Sequence, residues 1–278
     1  MSHPITSMAV FCDFENIALG VRDANYAKFD IDRVLERLLL KGSIVVKKAY
    51  CDWERYKEFK APMHEASFEL IEIPHVRMSG KNSADIRLVV DALDLCYTKA
   101  HVDTFVIISG DSDFSPLVSK LRENNKTVIG VGVKSSTSDL LIANCDEFIF
   151  YDDLVRRSSQ KRQRGRRKSP GKAPSSAETK EIVKVEVDKG EEDRRQQAFD
   201  LVLDTIEELA AERDPGEKIW GSMVKQALKR RNPGFDESYY GFRSFSDLLL
   251  EAQNRKLVEL EADQKSGGYI IRRVVREE

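Results

Sequence analysis

The chain has 278 residues, enough for one large or two small domains, each with its own hydrophobic core. Hydrophobic residues make up 41% of the sequence and charged residues 33%, a balance that suits globular domains joined by polar segments. The formal net charge is only -2, which excludes attraction of an anionic polymer by the charge of the whole chain, so any nucleic-acid affinity must come from local basic patches.

Short apolar runs alternate with amphipathic stretches along the first half of the chain. The runs have the length and composition of buried β-strands. Their alternation with helical patterns predicts an α/β fold with a doubly wound, mostly parallel sheet. The predicted strands are residues 8–13, 43–51, 68–73, 104–109, 127–133 and 147–152.

The stretches between these strands have helical spacing. Asp30 is the candidate N-cap of the first helix. The second helix carries an apolar stripe of the kind that faces a core, formed by Ile86, Val89, Val90, Leu93 and Tyr97. The helices are predicted at residues 29–42, 83–99 and 116–125, with a further polar amphipathic stretch at 53–62.

A polar segment separates this half from a second, smaller unit. Residues 156–176 are basic, contain no acid and have almost no apolar residue, so they cannot bury enough surface to fold. Residues 178–193 are acidic and rich in valine and give no clear pattern. We therefore expect three regions: a domain at residues 1–153, a disordered basic linker at 154–190 and a second domain at 191–278.

The last region has the element order of a winged helix, in which helices are followed by a terminal hairpin. A turn at residues 266–268 separates the two strands of the hairpin. The predicted helices are residues 191–211, 222–231 and 242–254, and the predicted strands are 257–262 and 269–275.

Cysteine and histidine usage excludes two kinds of site. The four cysteines form no C-x-x-C pair and the four histidines lack metal-ligand spacing, so neither a structural zinc site nor a disulfide framework is expected. The N-terminus lacks the pattern of a signal peptide, and no apolar run approaches the roughly 20 residues of a membrane helix. We expect a cytoplasmic protein with no membrane contact.

Four aspartates stand where a doubly wound fold binds ligands, at the carboxyl ends of its strands. Asp13 ends the first predicted strand, and Asp111 and Asp113 follow the strand at residues 104–109. Asp85 lies in the first turn of the helix at 83–99, and the preceding loop could return the chain to the same edge. The sequence therefore predicts that these carboxylates converge.

Converging carboxylates repel one another, and protons or cations must neutralise them. Oxygen ligands without histidine or cysteine favour Mg²⁺ or Mn²⁺. Such ions activate water and stabilise the in-line displacement at a phosphoryl group, which is nuclease chemistry. No Ser-His-Asp arrangement or Walker-type loop competes with this interpretation.

Each residue also has a purely structural interpretation. Asp13 and Asp111 could be helix caps or turn formers, and Asp113 could cap the helix near residue 116. Asn16 is either a turn residue or an amide that orients a ligand. Glu15 and Asp91 are weaker candidates, and Ser109 is an ordinary loop residue unless it orients an aspartate.

The motifs FCDFENI, GKNSADIRLVVDAL and FVIISGDSDFSPLVSKLRENNKTVIGVG resemble the NYN domain, a LabA-like branch of the PIN-like nucleases. The resemblance covers about residues 7–151. It implies a parallel α/β sheet, an acidic metal site and RNA cleavage. By matching motif, it also implies a catalytic set of four metal ligands and one supporting residue: Asp13, Asp85, Asp111 and Asp113, with Asn16.

The terminal region is similar to the OST-HTH/LOTUS domain, through the segment GSMVKQALKRRNPGFDESYYGFRSFSDLLLEAQNRKLVELE and the later GGYIIR. The resemblance implies a winged-helix module that binds RNA or protein partners, including a second copy. Independently, basic and aromatic residues suited to phosphates and bases cluster here. These candidate RNA-binding residues are Lys225, Lys229, Arg230, Arg231, Tyr239 and Tyr240; the alternative is a solvated helix face with core aromatics.

The main hypothesis is a metal-dependent endoribonuclease with a C-terminal RNA-binding module. One alternative is a scaffold that binds RNA without cutting it. Another is a phosphatase of the haloacid dehalogenase type, with Asp13 as nucleophile and Lys81 as its lysine. Those enzymes usually have D-x-D after the first strand, whereas here the third position is Glu15.

Overall fold

The computed structural model describes residues 6–73, 83–156, 179–212, 217–263 and 268–274, and the side chains of 179–191 and 273–274 lie outside this description. The chain divides into two compact units, Met1–Arg162 and Gln163–Glu278. The predicted loop 74–82 and most of the predicted linker, residues 157–178, fall outside the described ranges.

The first unit contains a six-stranded parallel sheet, which confirms the predicted α/β fold. Its strand order is β3-β2-β1-β4-β5-β6, so the order reverses beside the first strand. At such a reversal the connections leave the sheet in opposite directions and open a crevice at the carboxyl ends. The strands are β1 (Ser7–Asp13), β2 (Ser43–Cys51), β3 (Glu69–Glu72), β4 (Thr104–Ile108), β5 (Thr127–Gly132) and β6 (Glu147–Phe150).

Helices cover both faces of this sheet. The central strand β1 therefore alternates between two cores: Met8, Val10 and Cys12 belong to one, and Ala9 and Phe11 to the other. Burial on both faces explains why the strand is a continuous apolar run. The helices are α1 (Phe14–Asp23), α2 (Ile31–Leu39), α3 (Lys57–Glu65), α4 (Ser83–Thr98), α5 (Ser115–Glu123) and α6 (Asp139–Asn144).

Two helices were absent from the sequence prediction. Helix α1 starts directly after β1 in a segment for which no element was predicted, and α6 has only six residues. Helix α2 was predicted, but the carboxylate of Asp30 makes no cap hydrogen bond. It accepts instead from Nε of Arg33, at 2.8 Å.

The apolar stripe predicted for α4 faces the core only in part, because Val89 and Leu93 pack against it and the other three residues do not. Ile86, Val90 and Tyr97 are exposed, whereas the buried residues of this helix are Leu88, Ala92 and Cys96. Both sets have helical spacing, so periodicity alone could not tell which one packs on the sheet. The smaller side chains of the buried set allow the helix to approach the strands closely.

The second unit is a small helical domain with an antiparallel sheet, in the winged-helix order that was predicted. Its strands β7 (Ile219–Trp220), β8 (Val258–Ala262) and β9 (Tyr269–Val274) pair in the order β7-β9-β8. Strand β7 is short and was not predicted. The helices are α7 (Thr179–Ala211), α8 (Gly221–Arg231) and α9 (Phe245–Asn254).

The boundaries of two of these helices differ from the prediction. Helix α7 begins twelve residues before residue 191, in a stretch that contains the good helix formers Lys and Glu among its valines. Helix α9 begins at Phe245 rather than at residue 242, because Ser244 is its N-cap and accepts a hydrogen bond from the backbone N–H of Asp247 at 3.1 Å.

All four cysteines are buried free thiols. The apolar neighbours of Cys12, Cys96 and Cys145 in the sequence predict burial of those three. Within the described ranges, no helix combines enough length and apolarity to cross a lipid bilayer.

Candidate functional site

The centre of the candidate site is Asp13, the last residue of β1. Strands β1 and β4 are adjacent and parallel, with Cys12 opposite Ile108, so Asp13 and Ser109 emerge side by side. The hydroxyl of Ser109 donates to Oδ2 of Asp13 at 3.0 Å, and the backbone N–H of Asn16 donates to Oδ1 at 3.4 Å. Asp13 is buried and both of its oxygens are engaged.

A second set of bonds fixes the loop after β4. The Ser109 hydroxyl accepts from the N–H of Asp111 at 3.2 Å, and the side-chain oxygen of Asn16 accepts from the N–H of Gly110 at 2.8 Å. Oδ1 of Asp111 in turn accepts from the N–H of Asp113 at 3.0 Å. Asn16 and Ser109 thus tie the beginning of α1 to the loop that carries Asp111.

The structural interpretations of the acids hold in part. Asp13 caps α1, and Asp111 caps the short 3-10 turn Ser112–Phe114. Each carboxylate therefore satisfies a helix end and also faces the crevice. Asp113 does not cap α5, because the N-cap position of that helix is Phe114, which makes no side-chain cap bond.

Asp13, Asp85 and Asp111 come from three separate parts of the chain and line one cavity of about 360 Å³. Asn16 lines it as well. Asp113 instead faces a neighbouring hollow beside Pro116. The other residues around the cavity are Glu15, Leu19, Cys51, Asp52, Arg55, Ile73 and Ala84.

The shared cavity makes its carboxylates hard to ionise together. Burial, followed by the charge of Asp85 and, less, that of Asp111, raises the pKa of Asp13 to about 7, although the bonds from Ser109 and Asn16 oppose the rise. Burial and then the charges of Asp111, Asp113 and Glu15 raise the pKa of Asp85 to about 6. The site therefore favours whatever supplies positive charge, a proton or a cation.

The donor chemistry of the cavity fits a hard divalent cation, because the converging groups are carboxylates whose repulsion a cation relieves. In the part of the chain that the structure describes, however, no three His, Cys, Asp or Glu side chains are close enough to form a ready metal-binding group. The cavity gathers suitable ligands without closing them around one point. The ligand set Asp13, Asp85, Asp111 and Asp113 remains a prediction.

The weaker candidates have other partners. Asp91 accepts hydrogen bonds from Lys48, Tyr50 and Arg87, outside the cavity. Lys81 lies outside the described residues.

Sequence reasoning missed Arg55, together with its neighbour in the cavity wall, Asp52. The available signal was that both follow the carboxyl end of β2, the same position that identified Asp13 on β1.

The candidate RNA-binding residues of the second unit differ in their surroundings. Lys225 forms an ion pair with Glu237 at 2.7 Å, and Arg231 forms one with Glu208. Arg230 is exposed and Lys229 is half-buried.

The two tyrosines of that set pack mainly on the protein itself. Tyr240 stacks on the buried Phe235, with ring centroids 5.2 Å apart, and Tyr239 meets Tyr240 edge to face at 4.9 Å. The aromatic alternative raised from the sequence, in which these rings support the core, therefore holds for Tyr240.

Two domain families match the chain. Residues 7–152 match the NYN domain, and residues 200–270 match the OST-HTH/LOTUS domain. Both matches agree with the resemblances drawn from the motifs.

Similar proteins include "Meiosis regulator and mRNA stability factor 1" of Xenopus tropicalis, 25% identical over 56% of this chain, and an uncharacterized protein of Methanocaldococcus jannaschii, 27% identical over 40%. The matched regions span only 9% and 43% of those two relatives. A crystal structure of a Vibrio parahaemolyticus protein of unknown function is 27% identical, with a TM-score of 0.49, over 55% of this chain and 98% of its own.

Proposed function

Because the chain belongs to the NYN domain family, whose match covers residues 7–152 of its 278, we propose that it is a metal-dependent endoribonuclease. The NYN domain is part of the PIN-like nuclease superfamily. The observation that carries the proposal is the convergence of Asp13, Asp85 and Asp111 in one cavity at the point where the strand order reverses. Ligands of doubly wound sheets bind at this position.

Asp13 and Asp111 would hold the cation, and Asp85 and Asp113 would complete the site. A bound Mg²⁺ or Mn²⁺ supplies the positive charge that stabilises displacement at a phosphodiester. Ser109 and Asn16 orient the two principal carboxylates through the bonds that join α1 to the loop after β4. Asp85 and Asp113 would also orient the attacking water.

The second unit supports RNA as the substrate. The chain contains an OST-HTH/LOTUS domain, and the Xenopus relative is named as an mRNA stability factor. We propose that this unit binds RNA through Lys225, Lys229, Arg230 and Arg231, with Tyr239 and Tyr240 beside them, and delivers it for cleavage.

The test is a cleavage assay on RNA and DNA oligonucleotides with and without Mg²⁺ or Mn²⁺. We expect the parent to cut RNA only with metal, and Asp13→Asn or Asp111→Asn to reduce cleavage by at least about a hundredfold, since each removes a charged ligand. Asp94→Asn is a matched control, because Asp94 is exposed on the helix that carries Asp85 but does not line the cavity. Circular dichroism checks that each variant folds. Equal cleavage by Asp111→Asn and the parent would exclude the proposal.

One observation favours a second candidate, an RNA-binding scaffold without turnover. The carboxylates do not close into a metal-binding group within the described residues. Such a scaffold would shift RNA in a gel and give no cleavage products with Mg²⁺ or Mn²⁺. The phosphatase alternative has less support, because the position two residues after Asp13 is Glu15 rather than the aspartate that those enzymes usually have.

A further inference from the structure

The wall of the acidic cavity contains a positive charge that the proposed metal site does not use. Among the described residues that line the cavity, five are acids and one, Arg55, is basic. The acids repel an RNA phosphate that enters this cavity. A positively charged side chain in the wall would offset this repulsion by attracting the phosphate.

Arg55 is held at the cavity by a weak and exchangeable contact. Its Nη1 donates to Oε1 of Glu15 at 3.1 Å, and the side chains of Arg55 and Glu15 are 50% and 35% exposed. Ion pairs this exposed contribute little stability. Arginine also matches the geometry of a phosphate with two parallel hydrogen bonds. An RNA phosphate can therefore replace Glu15 as the partner of Arg55 at little cost.

The turn that carries Arg55 is rigid. Trp53 is buried, its backbone N–H donates to Glu72 at 3.0 Å, and its indole N–H donates to the carbonyl of Ile71 at 3.1 Å. The N–H of Arg55 donates to the carbonyl of Asp52 at 3.0 Å. Because the backbone of the turn is fixed, only the Arg55 side chain has to move to exchange partners.

Tyr56 places an aromatic ring beside this cation. The ring packs edge-on against Phe14, with centroids 5.6 Å apart and planes at 75°, and it remains partly exposed. Phe14 directly follows Asp13, so the tyrosine has a fixed position relative to the acids. Burial and then the charge of Glu15 raise the pKa of Tyr56, while Arg55 opposes the rise.

A cation and a partly exposed aromatic ring side by side are the elements of a site for single-stranded nucleic acid, in which one holds the phosphate and the other stacks on a base. We propose that Arg55 and Tyr56 form a subsite for the nucleotide next to the cleaved bond of a single-stranded RNA. Arg55 binds a phosphate and Tyr56 stacks on the base. The inference rests on the proposed ribonuclease function and assigns residues to its substrate.

Glu15 acts in this subsite as a competitor of the phosphate. While Glu15 is charged, it occupies Arg55 and adds repulsion to the cavity. Removing its charge should strengthen RNA binding, whereas removing the charge of Arg55 should weaken it. If Arg55 touched no phosphate, its substitution would change RNA binding no more than loss of a distant arginine such as Arg122, so a clearly larger effect at Arg55 identifies the subsite.

The first test measures the steady-state cleavage of a short oligouridine by the full chain in Mn²⁺. We expect Arg55→Gln to raise KM about tenfold, as for loss of a charge-assisted hydrogen bond, with a smaller change in kcat. Glu15→Gln should lower KM. The control is Arg122→Gln: Arg122 pairs with Asp146 at 3.1 Å and is 46% exposed, but it lies at the opposite edge of the sheet. A KM for Arg55→Gln equal to that of Arg122→Gln would overturn the subsite.

The second test needs no cleavage. Ultraviolet crosslinking of the metal-free full chain to the same oligouridine, followed by peptide mapping, should place an adduct on the peptide with Tyr56. Tyr56→Phe should keep oligouridine binding at that peptide, and Tyr56→Leu should lose it because the stacking surface is gone. An adduct without cleavage by the parent would remove the nuclease proposal and keep the subsite. Cleavage by the parent with no adduct at Tyr56 would keep the nuclease proposal and remove the subsite.

Discussion

At the residue scale, the candidate site depends on a carboxylate whose burial opposes folding. Asp13 is 7% exposed and lies in a cavity with other acids, and its pKa is raised to about 7. A carboxyl whose folded pKa is raised contributes stability below its unfolded pKa, near 3.8, and this contribution is lost as pH rises through about 7. The metal-free protein is therefore least stable where the proposed activity needs charged ligands.

This linkage predicts a pH-dependent stabilisation by Asp13→Asn. The amide has nearly the same shape and no charge, so in EDTA at pH 8 the variant should melt higher than the parent, on the order of 5 °C. At pH 5 the gain should be clearly smaller, because much of Asp13 is then protonated in the folded parent. Differential scanning fluorimetry at the two pH values measures both. A gain that is the same at pH 5 and pH 8 would contradict the assigned linkage.

At the element scale, the strands were predicted closely and the helices less well. Strand β2 was located to the residue, because its β-branched and apolar residues stand between the Gly42 that ends the preceding helical pattern and the polar stretch after Cys51. The face of α4 was only partly right, since Val89 and Leu93 pack against the core but Ile86, Val90 and Tyr97 are exposed. The buried Leu88, Ala92 and Cys96 also have helical spacing. Helix packing is decided by neighbours in space, which a single sequence does not contain.

The start of α9 provides a test of local sequence control. Ser244 accepts from the N–H of Asp247 and delays the helix to Phe245. Ser244→Ala should lower the free energy of unfolding of the second unit by about 1 kcal/mol, the usual cost of a lost N-cap. Ser246→Ala is the matched control, because Ser246 lies inside the exposed first turn. Urea denaturation of the full chain compares the two, and equal midpoints would show that the cap contributes nothing.

The site itself was predictable in position but not in detail. Asp13, Asp85 and Asp111 were expected at one sheet edge, because the carboxyl ends of parallel strands meet there, and they line one cavity. The different orientation of Asp113, toward a neighbouring hollow, depends on the 3-10 turn after Asp111. Arg55 was missed because its pairing with Glu15 joins residues 40 positions apart.

At the scale of the whole molecule, we propose that the NYN domain cuts RNA and that the OST-HTH/LOTUS domain binds it. The second unit contributes its basic helix α8, where Arg230 is exposed and Arg231 pairs with Glu208. Replacing Glu208 by a phosphate costs little in so exposed a pair, but Arg231 still gains less than Arg230 because it gives up an existing attraction.

This difference predicts unequal effects of two neighbouring substitutions. Arg230→Gln should weaken RNA binding and reduce the slope of log affinity against log salt by about one. Arg231→Gln should have a smaller effect on both. Fluorescence anisotropy of the full chain with labelled single-stranded RNA across a salt series gives the slopes. Indistinguishable slopes for Arg230→Gln and the parent would place the RNA-binding surface elsewhere.

The pairing of β1 with β4 has a consequence for the order of events during translation. Asp13 receives its hydrogen bond from Ser109, 96 positions later in the chain, and β1 has no neighbour on that side until Thr104–Ile108 has been made. Contacts so distant in sequence form late. A nascent chain that has not yet released β4 from the ribosome lacks Asp111 in the cavity and the Ser109 bond to Asp13. The domain therefore cannot assemble its proposed RNA-cutting centre while that strand is still inside the ribosome.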